Sequence, residues 1–399
     1  MTNEKNKYLF PLIVMASLFF LFGFITTMNN SMIDFLKDAF NLNKVEKQLP
    51  NTFFYGAYAL SIPVSLIIHR IGYKNGVLSG LALVAIGFFL CIPLVAMGYI
   101  PFLFAVAVFA IGVVLLQVAA NPYVNALGPA KTAASRLTLT NALNSVATVI
   151  APIFVSMLIV NDTNDPKAVQ FPFGLIGAIT LVILVIMFFL KLPEIKGDEE
   201  DVASGIKREY KTNAFKYTHV WLGSLAIFVY MGIEIGIPSF FADYTEKIGF
   251  NFTSFEKIDL LKYYWGGLMV GRLIGIFVLQ KYTARQILTL CAIGGAILVA
   301  SSLIIGADAN TVALWLFLGT GLFHSIMWPT IYNLALEDLG PHAKVASGVI
   351  ATSVIGAAIL PPLMAGVQSL TGSVVIAVSF LFIYYAYLIF FATKGSKIR

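Results

Sequence analysis

Long apolar stretches, each closed by a short polar or charged turn, repeat along the whole chain. The first follows the polar start Met1–Lys7 and runs from Tyr8 to about Ile33. That is too long for the apolar core of a cleaved leader, so it is predicted as a first spanning helix. A spanning helix needs about 20 mostly apolar residues. By that measure the pattern predicts twelve, near 8–36, 51–69, 76–98, 101–127, 138–160, 170–192, 215–242, 260–280, 285–306, 311–336, 345–369 and 373–393. Lipid cannot satisfy open backbone groups, so these spans are expected to be helical. Barrel strands would alternate over about ten residues, and these segments do not. The expected class is an all-α integral membrane protein.

The longest charged segment, Lys191–Lys216, stands halfway, with six spans on each side. It holds Asp198-Glu199-Glu200-Asp201 and then Lys207-Arg208, and reads as a solvated linker. The predicted organisation is an N-terminal six-helix bundle over 1–192, a cytoplasmic linker over 193–214 and a C-terminal six-helix bundle over 215–399. The halves look like repeats. Leu127-Gly128-Pro129 closes the fourth span and Leu339-Gly340-Pro341 closes the tenth, 212 positions later. Pro122 and Pro329 lie inside those spans. The basic turn His69-Arg70…Lys74 has a counterpart at Lys281…Arg285, about 211 positions on. Paired six-helix halves around a midplane site are a transporter architecture.

Composition agrees. Fifty-nine per cent of residues are hydrophobic and 12% are charged, against roughly 45–50% and 25% in soluble domains. The mean hydropathy is +0.86. The net charge of +6 does not point to nucleic acid, because membrane proteins concentrate Lys and Arg on cytoplasmic loops. With the N-terminus inside, eighteen of the 26 Lys and Arg fall on the inner side and seven on the outer, with Arg272 in a span. The expected placement is therefore a bacterial inner membrane with both termini cytoplasmic. Cys91 and Cys291 lie far apart in apolar segments and read as buried small hydrophobes.

Polar groups inside spans carry the functional signal, since an ionised residue at mid-span costs about 2.5–3.5 kcal/mol on insertion scales. Span 1 holds Asn29, Asn30 and Asp34. Residues 30 and 34 share a helix face, offering oxygens to a sugar hydroxyl or a hard cation, unless Asp34 simply meets water at the outer interface. Span 4 holds Gln117, Asn121, Pro122 and Asn125. Gln117 and Asn121 share a face, and the alternative to a site is amide bonding between helices. Pro122 is expected to bend the helix or face a cavity. Span 5 holds Asn141 and Asn144. Glu234 lies in Tyr230-Met231-Gly232-Ile233-Glu234-Ile235-Gly236-Ile237-Pro238. A carboxylate between Gly and Pro predicts a broken helix lining a cavity, with a structural ion pair to Arg272 as the alternative. Trp265 stands in Trp265-Gly266-Gly267, and span 10 holds His324, Ser325, Trp328, Thr330, Tyr332 and Asn333. Aromatic rings beside amides and hydroxyls suit a sugar, whose C–H faces stack while its hydroxyls hydrogen-bond. No P-loop is present, no HExxH pattern lies in a span, and the loops are too short for a catalytic domain. An enzyme is not expected.

Several motifs occur in order along nearly the whole chain: Phe19-Phe20-Leu21-Phe22-Gly23-Phe24 leading to Asn29-Asn30, Ala119-Ala120-Asn121-Pro122-Tyr123-Val124, Leu127-Gly128-Pro129, Arg136-Leu137…Asn144-Ser145, Tyr264-Trp265-Gly266-Gly267…Gly271-Arg272, and Ser325-Ile326-Met327-Trp328-Pro329-Thr330-Ile331. Together they resemble the fucose permease and bacterial glucose/galactose transporter family of the major facilitator superfamily. The resemblance implies two six-helix bundles, alternating access and a sugar bound at the midplane. In the fucose permease, a proton symporter, an Asp in span 1 and a Glu in span 4 carry coupling and recognition. Those positions fall here on Asn30 and Gln117, both neutral amides. The glucose/galactose branch is closer, with Gln before its Ala–Asn–Pro motif and a Glu where Glu234 stands. It usually keeps the span-1 Asp, which Asp34 replaces one turn on. The superfamily's acid before the Arg of the turn after span 2 is His69 here.

The expected function is import of a glucose- or galactose-like hexose, coupled to sodium. An amide cannot cycle a proton, and Asp34, Asn30 and backbone carbonyls supply oxygens for a sodium ion. Proton symport through Glu234 is the second reading and uncoupled facilitation the third. A non-transporting sugar receptor is the rival of another class. The expected sugar-binding set is Asn29, Asn30, Gln117, Asn121, Asn141, Asn144, Tyr230, Glu234, Trp265, His324 and Trp328, with Asp34, Asn30 and Glu234 for the cation. No further cofactor is expected. The expected partners are the sugar and the bilayer, and the resemblance favours a monomer.

Overall fold

The computed structural model describes residues 2–31, 36, 39–42, 46, 49–129, 132–158, 165–190, 212–252 and 254–398, and among them the chain is helical with no strand. Asp34 and most of the expected linker lie outside the described residues. Helix α1 spans Thr2–Ser31. Helix α2 (Leu49–Gly56) passes through a 3-10 turn at Ala57–Leu60 into α3 (Ser61–Met97). Next come α4 (Tyr99–Ala126), α5 (Ala133–Leu158) and α6 (Gln170–Phe189). Past the linker lie α7 (Thr218–Lys247), α8 (Ser254–Lys281) and α9 (Ala284–Ile305). The remaining spans are built from shorter pieces: α10 (Asn310–His324) with α11 (Met327–Ala335), α12 (Ala343–Thr352) with α13 (Gly356–Thr371), and α14 (Val374–Ser379) with α15 (Leu381–Thr393).

Among the described residues nine segments are long and apolar enough to cross a bilayer. One of them, Leu49–Met97, contains two expected spans. They are joined at Gly72, whose φ of 83° and ψ of 166° interrupt the helix in the basic turn after His69-Arg70. Glycine reaches this backbone without the strain a side chain would add. Helices α5 and α8 occupy the places of the fifth and eighth expected spans, so each of the twelve has its helix.

The interruptions are not where the sequence pattern put them. Glu234 was expected in a broken helix, yet α7 runs unbroken through Pro238. Helix α4 is continuous through Pro122, which the expected bend allows. The break falls instead in span 10, between α10 and α11, where Ile326 (φ −110°, ψ 5°) leaves helical geometry before Pro329.

The chain forms two compact units. The first comprises Met1–Pro129, Val146–Tyr210 and Leu339–Thr352. Its core is set by glycines that let α3 and α4 touch through their backbones. A Cβ on Gly112 would lie 2.6 Å from the Val84 nitrogen, and one on Gly87 2.5 Å from the Phe109 nitrogen. Phe88 and Phe109 stack beside this contact, 4.8 Å apart at 9°. Hydrophobic burial adds little between helices in lipid, so such close packing holds them together.

The second unit comprises Ala130–Ser145, Lys211–Asp338 and Ser353–Arg399. The first half of α5 thus packs with the second unit, where the Ser135 hydroxyl donates to the Ile276 carbonyl at 3.0 Å. Close backbone approach recurs there. A Cβ on Gly271 of α8 would meet the Leu322 carbonyl of α10 at 2.6 Å, and Gly321 faces the Tyr264 backbone. Large apolar side chains such as Phe104, Phe188, Phe277 and Ile304 point outward, more than half exposed, as a lipid-facing surface requires.

Gly112→Ala is expected to lower the thermal midpoint in detergent, since overpacking costs about 1–3 kcal/mol. Gly56→Ala, whose Cβ would meet nothing within 4 Å, is expected to leave it unchanged or raise it. Equal midpoints for the two variants would contradict the packing argument.

Candidate functional site

In the first unit, three expected site residues are described with their side chains. Asn29 is buried, and its amide donates to Asn51 Oδ1 of α2 at 3.2 Å. Gln117, on α4, stands beside the Tyr58 hydroxyl of the turn between α2 and α3. Asn121, one turn further along α4, is 3% exposed, and its Oδ1 has no hydrogen-bond partner among the described residues. A buried acceptor without a donor is rare in folded proteins and calls for an explanation. Asn30 stands one residue before the end of α1, but its side chain, like all of Asp34, lies outside the described residues.

The second unit holds a denser network, whose logic begins with two prolines. Pro238 has no N–H, so the Glu234 carbonyl one turn earlier loses its helix donor. Tyr264 of α8 replaces it, its hydroxyl donating to that carbonyl at 3.0 Å. Pro329 does the same to the Ser325 carbonyl. Here Arg272 of α8 is the substitute, with Nε donating at 3.1 Å. The neighbouring carbonyl at the break, that of His324, accepts from the Tyr230 hydroxyl at 3.1 Å. These three carbonyls thus each have a side-chain donor, as an interior without water demands.

These bonds fix the state of His324. The Tyr264 hydroxyl has one hydrogen, and the Glu234 carbonyl takes it. Towards His324 Nδ1, 3.0 Å away, Tyr264 is therefore the acceptor, and Nδ1 carries the proton. Nε2 is then the acceptor for the Tyr385 hydroxyl at 2.5 Å. The tautomer is assigned from this network. His324 is fully buried and makes a directional chain from Tyr385 to the Glu234 backbone.

Arg272 is the hub. Beyond Ser325, its Nη1 donates to the Asn141 carbonyl at 3.2 Å and to the Ser145 hydroxyl of α5. Its Nη2 lies 3.8 Å from Glu234 Oε1. The two side chains are 8% and 13% exposed. Tyr230 stands beside both groups, its one hydroxyl hydrogen given to the His324 carbonyl. Removing one partner of such a buried pair costs about 3–5 kcal/mol, because the other charge is left uncompensated. Helices α5, α7, α8 and the α10–α11 break are thereby tied together by one guanidinium.

The structure brings Tyr230, Glu234, His324 and the Asn141 backbone into this network. Asn141 gives Arg272 its carbonyl, while its own amide bonds back to Leu137 at 2.8 Å. Asn144, half-buried, lies one turn from these groups on α5. Trp265 is half-buried with its ring 5.1 Å from that of Tyr264. Trp328 is half-buried and stacks on Tyr332 at 5.0 Å and 12°. Three contributors escaped the sequence reading. Tyr385 sits in an aromatic run that resembles lipid-facing packing, and Tyr58 and Asn51 lie in a span read only for its length. The usable signal was general: a Tyr hydroxyl at mid-span needs a partner.

A chain built of membrane-spanning helices, with a buried charge pair inside its second unit, fits a multi-pass membrane transporter and not an enzyme. Residues 15–362 match the family model of the Major Facilitator Superfamily. A protein described as a glucose/galactose transporter from Brucella abortus is 39% identical, over 99% of this chain and 96% of its own length. The L-fucose-proton symporter of Escherichia coli is 26% identical, over 93% of this chain and 90% of its own. A crystal structure of the E. coli fucose:proton symporter superposes with a TM-score of 0.85, covering 98% of this chain and 99% of that one. The chain belongs to the Major Facilitator Superfamily, in the sugar-transporter group these relatives represent.

The proline logic is testable by a double-mutant cycle. Tyr264→Phe is expected to destabilise by about 1–3 kcal/mol, because the Glu234 carbonyl loses its donor. In a Pro238→Ala background, which restores the helix N–H, the same change is expected to cost at least about 0.5 kcal/mol less. Strict additivity in thermal or denaturant unfolding would refute the assignment.

Proposed function

We propose that this protein imports a glucose- or galactose-like hexose across a bacterial inner membrane by alternating access, coupled to sodium. The observation that carries the sugar reading is the second unit's polar network. It offers the Glu234 carboxylate, paired with Arg272 but still 13% exposed, and the same unit carries the partly exposed indole rings of Trp265 and Trp328. Carboxylates and amides grip sugar hydroxyls, and rings such as Trp328 pack against the C–H face. The unpartnered Asn121 Oδ1 in the first unit is an acceptor that a sugar hydroxyl would satisfy. The likeness to a relative described as a glucose/galactose transporter supports the same substrate class.

The coupling proposal rests on residue type. Asn30 and Gln117 are amides and cannot carry a proton cycle. Glu234 is already engaged by Arg272. A sodium ion takes hard oxygen ligands, and Asp34, Asn30 and nearby backbone carbonyls are our candidates. Proton symport through Glu234 is the second reading, favoured by the similarity to the L-fucose-proton symporter. Both termini are proposed to be cytoplasmic, from the Lys and Arg distribution, and the working unit is proposed to be a monomer.

The test is uptake of a labelled hexose panel into proteoliposomes with sodium and pH gradients imposed separately. The proposal expects glucose or galactose to accumulate with the sodium gradient alone, and the accumulation to vanish when choline replaces sodium at fixed pH. Accumulation driven only by the pH gradient would replace sodium by proton coupling. Equilibration without accumulation would make the protein a facilitator, and no hexose movement would overturn the substrate class.

A further inference from the structure

A groove of about 690 Å³ opens on the second unit between α9, α10 and α15. It is separate from the Arg272 network, and the transport reading makes no use of it. Its two ends differ in chemistry. One end carries Arg285 and Lys397, and Leu290, Ile293 and Phe323 give the rest its apolar surface, with Gln286, Thr289 and Thr393 among them. The lining residues include two cations and no carboxylate.

The level of each end follows from the helices. Helix α9 begins at Ala284, capped by Thr283, and α15 ends at Thr393, followed by a 3-10 turn at Gly395–Lys397. The cations therefore stand where the spans end, and the apolar walls run into the spans. Arg285 is held in place by Glu337 and by the Ser396 hydroxyl, to which Nε donates at 3.1 Å. Lys397 is exposed and makes no ion pair among the described residues. Leu290 and Ile293 are 60% and 42% exposed to the groove side. Gly294 gives room for the Phe323 ring that forms the floor, since a Cβ there would collide with it.

We propose that this groove binds one anionic phospholipid, its phosphate between Arg285 and Lys397 and an acyl chain along Leu290, Ile293 and Phe323. Charge complementarity selects the headgroup: basic pockets between spanning helices at the membrane surface take anionic lipids. The apolar length selects a lipid over a free anion, which would leave the chain-sized walls uncovered.

The experiment is native mass spectrometry of the purified full chain in micelles, titrated with phosphatidylglycerol, phosphatidylcholine or inorganic phosphate. Lys397→Gln is compared with Lys281→Gln, a basic residue at the end of α8 that does not line the groove. Both sites are exposed, and unchanged thermal midpoints confirm that the variants fold. The proposal expects one tightly held phosphatidylglycerol and weaker phosphatidylcholine. It expects about five-fold weaker phosphatidylglycerol binding in Lys397→Gln alone, the share of one lysine at a membrane surface. Equal binding of the two lipids, equal effects of the two substitutions, or displacement of the lipid by inorganic phosphate would overturn it. A dimer that forms through this face with no lipid bound would overturn it as well.

Discussion

A proline inside a membrane helix strands the carbonyl four residues before it, and in a waterless interior that carbonyl must find another donor. The second unit is organised around two such carbonyls. Pro238 strands that of Glu234, and Tyr264 answers it. Pro329 strands that of Ser325, and Arg272 answers it. Both donors come from α8, whose Gly271 allows it to lie close against α10. Helix position, tyrosine hydrogen and guanidinium placement are thus consequences of the same backbone requirement. The His324 tautomer follows in turn, because Tyr264 has no second hydrogen to give.

Once Arg272 is fixed by the Ser325 carbonyl, its remaining donors are aimed without further choice. They meet the Asn141 carbonyl, the Ser145 hydroxyl and, at 3.8 Å, the Glu234 carboxylate. The ion pair is wider than a hydrogen bond, so the carboxylate keeps acceptor capacity for a ligand. This is the physical basis for giving Glu234 a role with the substrate as well as with Arg272. A purely structural pair gains most from close contact, since buried charges repay their desolvation only with good geometry.

Hydropathy made the spans legible, because the length of an apolar run is nearly all that a bilayer asks of it. Glu234 and Arg272 were legible as costly residues, and their pairing was one of the two readings the sequence left open. The break was misplaced for a definite reason. Gly and Pro around Glu234 weaken α7 locally, but Tyr264 supplies the missing bond and the helix continues. Span 10 has a similar proline yet gives way at Ile326, and the sequence does not distinguish the two. Asn141 was flagged for its amide, whereas Arg272 uses its carbonyl, a group every residue possesses. Tyr385 was hidden in an aromatic stretch that reads as lipid-facing packing. The roles proposed for Asn30 and Asp34 depend on side chains outside the described residues.

The central claim is that Glu234 serves the sugar and not only Arg272. The direct measurement is hexose uptake and thermal midpoint for Glu234→Gln, Arg272→Gln and the double variant. Each single change leaves one buried charge alone and is expected to cost about 3–5 kcal/mol, while the neutral double variant recovers much of that stability. The account predicts that uptake by the double variant stays at least about ten-fold below the unaltered protein, because a charge-assisted bond worth about 1.5–3 kcal/mol is gone. Recovery of uptake together with stability would contradict it and reduce Glu234 to a structural partner of Arg272.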